Sequence, residues 1–278
     1  RRGERHGDGG RGRMADTELE SIAEPDARRD PFTLPVDEIF SGIQGEGPYV
    51  GIRQVFVRLC GCNLMCEYCD TRRSRRADLA TCTVLRPSSE PRVYPNPISL
   101  ANMVDLVRET EAAAGPHHSV ALTGGEPLLH AGPLRPLVGH LGSLGFSCYL
   151  ETNGTLPEGM RLLAPVVSWI AMDIKLPSAT GEPWRDADHL LCLREACSAE
   201  VFVKMVVVQK TPLGEVLQGC AIVNEVDPSI PCILQPATGP DGGLLIDPQR
   251  LWVLAQAAAR EVRDVRVIPQ CHRFLGLA

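Results

Sequence analysis

The chain has 278 residues, 44% of them hydrophobic, with 11 cysteines and a formal net charge of −6. That is enough apolar material for one large domain. The acidic balance argues against non-specific nucleic-acid binding, no apolar run approaches the roughly 18 residues that cross a bilayer, and an odd cysteine count makes no closed disulfide framework.

Residues 1–32 open with RRGERHGDGGRGRMADTELESIAEPDARRDP, rich in Arg, Gly and acidic residues. Such a stretch buries too little surface to offset its ordering entropy, so a disordered extension is expected, followed by one domain over 33–278. Met14 is a plausible start, and the Arg-Arg opening lacks the apolar run of an export signal, so a cytoplasmic protein is expected. From residue 54 onward, β-rich runs alternate with helical patterns. QVFVRL (54–59) reads as a strand, and 72–97, rich in Arg, Pro and Ser, as a long surface excursion. ISLANMVDLVRETEAAA (98–114) reads as a helix, with Ile98, Leu100, Met103, Val104 and Val107 near helical spacing. SVALT (119–123), SCYLE (147–151), VVSWIAMDI (166–174), VFVKMVVV (201–208), CILQ (232–235) and VRVI (265–268) continue as strands, with helices at 133–145, near 187–197, 213–226 and 248–262. A strand–helix alternation predicts a parallel sheet of the α/β class. About seven strands in series are fewer than the eight of a complete barrel, so a partial (β/α) barrel is expected.

The unusual residues fall after the strands. Cys62, Cys66 and Cys69 follow the first, TGGEP (123–127) the second, ETNG (151–154) the third, and DIK (173–175) ends the fourth. QK (209–210), QPATG (235–239) and PQCHRFLG (269–276) follow the remaining three. In β/α barrels the C-terminal ends of the strands carry the active site, so one shared site is expected there.

The spacing Cys62-x₃-Cys66-x₂-Cys69 in RLCGCNLMCEYCDT (58–71) supplies three thiolates from one loop. Four would close a zinc or iron–sulfur site; three leave one iron of a [4Fe–4S] cube open for a ligand. Zinc recruiting Cys60 or a distant His, or a redox Cys66–Cys69 pair, are the competing readings of the spacing alone. Cys60 ends a strand and is expected to point elsewhere, and Cys82, Cys148, Cys192, Cys197, Cys220 and Cys232 are expected to be incidental or buried.

CxxxCxxC after one strand with GGEP after the next resembles the radical S-adenosylmethionine superfamily over roughly residues 54–270. The resemblance implies a [4Fe–4S] cluster whose open iron is chelated by the methionine amine and carboxylate, and whose electron cleaves the sulfonium to a 5′-deoxyadenosyl radical. It implies cofactor contacts from Gly125, Glu126, Glu151, Asn153, Asp173, Ile174, Lys175, Gln235, Pro236, Ala237 and Thr238. Lys175 is equally readable as a surface lysine, and Glu151 and Asn153 as residues with no ribose to meet.

More narrowly, EIFSGIQGEGPYVGIRQVFVRLCGCNLMCEYCDT (38–71) and the ending VIPQCHRFLGLA (267–278) are similar to the 7-carboxy-7-deazaguanine synthase family. That resemblance implies conversion of 6-carboxy-5,6,7,8-tetrahydropterin to 7-carboxy-7-deazaguanine with loss of ammonia and with Mg²⁺ assisting, in queuosine and 7-deazapurine biosynthesis. It implies substrate contacts from Ile43, Gln44, Gly45, Arg58 and Thr123, Mg²⁺ on the Thr71 hydroxyl, a homodimer, and flavodoxin or ferredoxin as electron donor. On its own chemistry, QGEG sets an amide and the Glu46 carboxylate between glycines, where both can approach a flat polar ring. Arg58 is a lone cation on an apolar strand, a fork for a substrate carboxylate. The chain ends Gly276-Leu277-Ala278 where relatives often end in GLP, so a terminal substrate contact is left open. A glycyl-radical activase would share the cysteines and GGEP but is not expected to carry QGEG or PQCH. A non-catalytic zinc or electron-carrier module would give GGEP no role.

Overall fold

The computed structural model describes residues 32–87 and 89–276. The expected disorder of residues 1–31 and the open question at Leu277 and Ala278 lie outside the described residues.

Parallel strands β3 (Arg53–Leu59), β7 (Ser119–Gly124), β8 (Cys148–Thr152), β9 (Trp169–Asp173), β10 (Glu200–Val207), β11 (Cys232–Pro236) and β12 (Val265–Val267) stand side by side in chain order. Helices follow or connect them: α1 (Leu100–Ala114), α2 (Ala131–Ser143), α3 (Pro157–Leu163), α4 (Pro177–Thr180), α5 (Asp186–Ala196), α6 (Leu213–Val226), α7 (Pro248–Ala258) and the short α8 (Cys271–Phe274). The expected elements are present with ends shifted by a few residues. Ser99 caps α1 by accepting from the Asn102 amide at 3.2 Å, and Asp247 caps α7 at Gln249 and Arg250.

The sheet continues past β3 where the sequence reading had no strand. β2 (Val36–Ile43) pairs antiparallel with β3, and β4 (Thr81–Leu85) and β5 (Arg92–Pro95) extend the far side, giving the order β12-β11-β10-β9-β8-β7-β3-β2-β4-β5. β1 (Thr33–Leu34) and β6 (Ile98–Ser99) form a separate small pair. Residues 72–97 are therefore not a structureless excursion. Cys82 and Val84 are buried while Thr81 and Leu85 are exposed, the period of a half-buried strand. The outer strands β12 and β5 are not paired to each other, so the barrel is open.

Alternation along the parallel strands divides their side chains between two cores. Val55, Val57 and Leu59 of β3 join Leu122, Leu150 and Leu234 beneath the helices. Phe56, Ala121, Tyr149, Phe202 and Ile233 point into the barrel with Phe40 of β2 and make a second, aromatic core. No helix among the described residues is long and apolar enough to cross a membrane.

Candidate active site

The inward-facing residues form two layers. Two residues beyond the aromatic layer, the same strands present Arg58, Thr123, Glu151, Asp173, Lys204 and Gln235 at the C-terminal rim of the barrel. A polar ring thus lies over an apolar floor, because a strand returns to the same face every second residue. Both layers line a cavity of about 240 Å³ that also takes in the cysteine loop, the QGEG segment and the chain's last helix.

Cys62, Cys66 and Cys69 all line this cavity, and no fourth cysteine does so among the described residues. Burial raises the Cys62 thiol and pushes Cys66 up to about 11, with each also raised by neighbouring thiols. Among the described residues no three Cys, His, Asp or Glu side chains gather tightly enough to chelate a single ion. Cys60, buried in the pocket of Asp37 and Asn96, does not line the cavity, and burial lifts its thiol to about 11.

GGEP is locked onto the cysteine loop. The Gly125 amide donates to Leu59 O at 3.0 Å and the Glu126 amide to Gly61 O at 2.7 Å. A Cβ on Gly124, whose φ is +128°, would stand 2.2 Å from Leu59 O, and one on Gly125 would stand 2.0 Å from Gly61 O. Only glycine permits this approach of two backbones. With those amides engaged, the motif's carbonyls are the groups left to take the protons of an amine. Glu126 turns away from the cavity: its buried carboxylate accepts from the Leu128 and Asn153 amides and the Thr152 hydroxyl at 2.7–2.9 Å.

The remaining cofactor candidates separate in the same way. Asp173, Lys175, Asn153, Glu151, Gln235, Ala237 and Thr238 line the cavity, whereas Ile174 is fully buried in the outer core and Pro236 lies in the sheet without reaching the cavity. Lys175 pairs with Asp173 at 2.7 Å and donates to Tyr68 Oη at 2.9 Å. Burial alone would lower its pKa, but Asp173 reverses that and raises it, so the ammonium is charged. Asn153 Nδ2 donates to Asn63 at 2.9 Å and lies 4.0 Å from Cys62 Sγ. Asp173 Oδ1, Gln235 Oε1 and Thr238 Oγ1 are buried with no hydrogen-bond partner. Buried polar atoms without partners are rare, and three on one cavity wall fit a ligand rich in amine, hydroxyl and ring donors such as S-adenosylmethionine.

On the opposite wall, Gln44 is buried and donates to Gln54 at 3.0 Å and Glu151 at 2.8 Å, while accepting from the Glu46 amide at 3.0 Å. Thr123 donates to Glu151 at 2.6 Å. Arg58 donates from Nε to Glu38 at 2.7 Å, and its guanidinium carbon lies 5.6 Å from the Phe40 centroid. Thr71 Oγ1 lies 3.8 Å from Cys69 Sγ and lines the cavity beside Asp70, a hydroxyl and a carboxylate of the oxygen type that suits a magnesium ion. Ile43 and Gly45 also line the cavity.

The C-terminal segment closes the site over QGEG. The Cys271 amide donates to Gly45 O at 2.8 Å, Gln270 Nε2 donates to Glu46 at 2.8 Å, and a Cβ on Gly45 would collide with His272. The two segments that carried the narrower resemblance, 224 residues apart at Glu46 and Gln270, therefore meet. Lys204, Tyr68, Asp70, Gln270 and His272 line the cavity and were not among the site residues read from the sequence. Lys204 had the same signal as Arg58: a lone cation two residues after Phe on an apolar strand, VFVKM beside VFVRL.

The sequence pattern of the Radical SAM superfamily matches residues 57–197, and the chain belongs to that superfamily. Its relatives narrow the assignment. A 7-carboxy-7-deazaguanine synthase from Geobacter sulfurreducens is 38% identical over 244 residues, covering 87% of this chain and 96% of the relative. One from Methanopyrus kandleri is 36% identical over 247 residues, covering 87% and 93%. The chain belongs to the 7-carboxy-7-deazaguanine synthase family. The crystal structure of QueE from Escherichia coli shares the fold, with a TM-score of 0.56 and 23% identity over 86% of this chain and 95% of that one.

Proposed function

We infer that this chain is a radical S-adenosylmethionine enzyme that converts 6-carboxy-5,6,7,8-tetrahydropterin to 7-carboxy-7-deazaguanine and ammonia, in 7-deazapurine biosynthesis. The observation that carries this reading is the meeting of three cavity-lining thiols, with no fourth among the described residues, and the QGEG–PQCH wall in one cavity. Elimination of ammonia from the carboxypterin balances to the product with no net redox change, so the cofactors initiate the reaction and are not its oxidant. When bound, the [4Fe–4S] cluster and S-adenosylmethionine supply a one-electron cleavage of the sulfonium and the abstraction of a hydrogen atom from substrate.

The chain's own residues hold and orient. Cys62, Cys66 and Cys69 would ligate the cluster. Asp173, Gln235 and Thr238, each with an unpartnered buried atom, would take donors of S-adenosylmethionine, and Lys175 its carboxylate. Arg58 would fork the substrate carboxylate, with Thr71 and the substrate sharing Mg²⁺. Phe40, Phe56, Tyr149 and Phe202 give the flat ring an apolar floor and keep water from beneath it. A small acidic one-electron carrier, flavodoxin or ferredoxin, would be the reductant in the cytoplasm, and the enzyme would act as a homodimer.

Anaerobic reconstitution followed by iron, sulfide and zinc assays tests the reading, together with 5′-deoxyadenosine release with and without the carboxypterin. About four irons and four sulfides per chain are expected, with release stimulated by substrate. Zinc in place of iron, or release indifferent to substrate, would count against it.

A further inference from the structure

Lys204 is half-buried on β10, and the alternation that puts Phe202 in the aromatic floor puts its ammonium in the polar ring above. A buried cation is costly unless paired. Here it contacts Glu46 of QGEG and lies 3.5 Å from Asp173. Glu46 is matched in turn: it accepts from Lys204, from Gln235 at 3.1 Å and from Gln270 at 2.8 Å. Burial pushes the Glu46 carboxyl up, but the Lys204 charge and the hydrogen bonds from Lys204 and Gln270 carry it down to about 2, so both groups are charged. An ammonium has three N–H donors and a carboxylate about four acceptor positions. Among the described residues, one Lys204 donor and one Glu46 acceptor position have no protein partner, and the direct ion pair holds the two groups together in the cavity.

We propose that Glu46 and Lys204 together read the lactam edge of the substrate's pyrimidinone ring, Glu46 accepting the ring N–H and Lys204 donating to the adjacent carbonyl oxygen. This rests on the pterin reading above and goes further by naming the donor that recognises the carbonyl. The ring's N–H and C=O sit on neighbouring atoms, as the free acceptor and donor do on the protein. A 4-amino ring reverses the pattern: its amine faces the ammonium and its bare nitrogen faces the carboxylate. A site built to hydrogen-bond one pattern rejects the reversed one, because buried groups are left unpaired.

The test compares reconstituted wild-type, Lys204→Met and Lys204→Gln enzymes on 6-carboxy-5,6,7,8-tetrahydropterin and on its 4-amino counterpart. Equilibrium dialysis of 7-carboxy-7-deazaguanine gives a readout independent of turnover. Wild type should prefer the lactam by about 100-fold or more. Lys204→Met should lose about 30-fold or more in kcat/KM on the lactam and less than about 3-fold on the 4-amino ring, with product binding weakened in parallel. Lys204→Gln, which keeps an N–H donor, should recover part of the preference. An equal loss on both rings would mean that the pair only braces the QGEG segment, and no loss on either would mean that Lys204 does not touch the ring; both overturn the proposal. If Lys204→Met fails to hold wild-type iron, the Lys204→Gln ratio decides. If wild type converts no carboxypterin, the functional reading falls and takes this inference with it; if wild type converts it and the variants do so equally well, only this inference falls.

Discussion

Arg58 is fixed by the protein itself at the edge of the cavity. Glu38 takes its Nε, Phe40 lies beneath its guanidinium, and the residue lines the cavity. A pre-held guanidinium loses little freedom on meeting a carboxylate. Removing a buried partner of a substrate anion costs on the order of 2–5 kcal/mol, so Arg58→Ala should lower kcat/KM for the carboxypterin by about 30-fold or more. Its iron content should stay at the wild-type level, and a normal kcat/KM would remove Arg58 from the site. The cysteines divide just as sharply. Cys66→Ala should lose the cluster, because its thiol lines the cavity, whereas Cys60→Ala should keep it, because that thiol is sealed behind β3 near Asn96. Iron and sulfide content of the two purified variants is the measurement, and equal loss in both would contradict the three-thiol assignment.

At the scale of elements, α5 supports the cofactor side of the cavity through His189. Its Nε2 accepts from the Lys175 amide at 3.2 Å and so fixes the turn after β9, which requires a neutral ring. Burial lowers the His189 pKa from 6.5 to about 4. A depressed folded pKa means that the unfolded chain binds the proton first, so the stability is complete above pH 6.5 and is lost as pH falls toward about 4. Between pH 7.5 and pH 5 the loss from this group is about 2 kcal/mol. Urea unfolding at the two pH values should show it, and His189→Gln, which cannot titrate, should flatten that difference. The parallel strands and their helices were legible because each strand buried on both faces is a nearly unbroken apolar run. β2 was not, since Asp37, Glu38 and Ser41 interrupt it, and those residues make contacts, such as Asp37 with Ser74 at 2.7 Å, that only the folded chain creates. β4 was hidden because TCTVL sits between Arg-rich and Pro-rich stretches that read as loop. In the site, motif residues were legible and their divisions were not. Glu126 and Gly125 are neighbours in one motif, yet one braces the fold and the other lines the cavity. Lys204 belongs to no motif; its lone charge in VFVKM matches that of Arg58 in VFVRL, but its partners Glu46 and Asp173 come together only in the folded chain.

Over the whole molecule, a half-open barrel brings a cysteine loop, a glycine turn, the QGEG segment and the last helix to one rim. Glu46, Lys204 and Asp173 form one chain of charges that ties QGEG to the ends of β9 and β10, so the rim is a single unit. Residues 1–31 are rich in Arg, Gly and acidic residues and poor in apolar ones, a composition from which no core is expected. A chain starting at Phe32 should therefore reconstitute and turn over within about twofold of the full chain, and a larger deficit would assign those residues a function. One cavity is expected both to cleave S-adenosylmethionine and to rearrange a carboxypterin. Reduced, reconstituted enzyme with S-adenosylmethionine, Mg²⁺ and 6-carboxy-5,6,7,8-tetrahydropterin, followed by mass spectrometry and an ammonia assay, tests it most directly. 7-Carboxy-7-deazaguanine and ammonia should form in equal amounts; S-adenosylmethionine cleavage with neither product would contradict the functional reading.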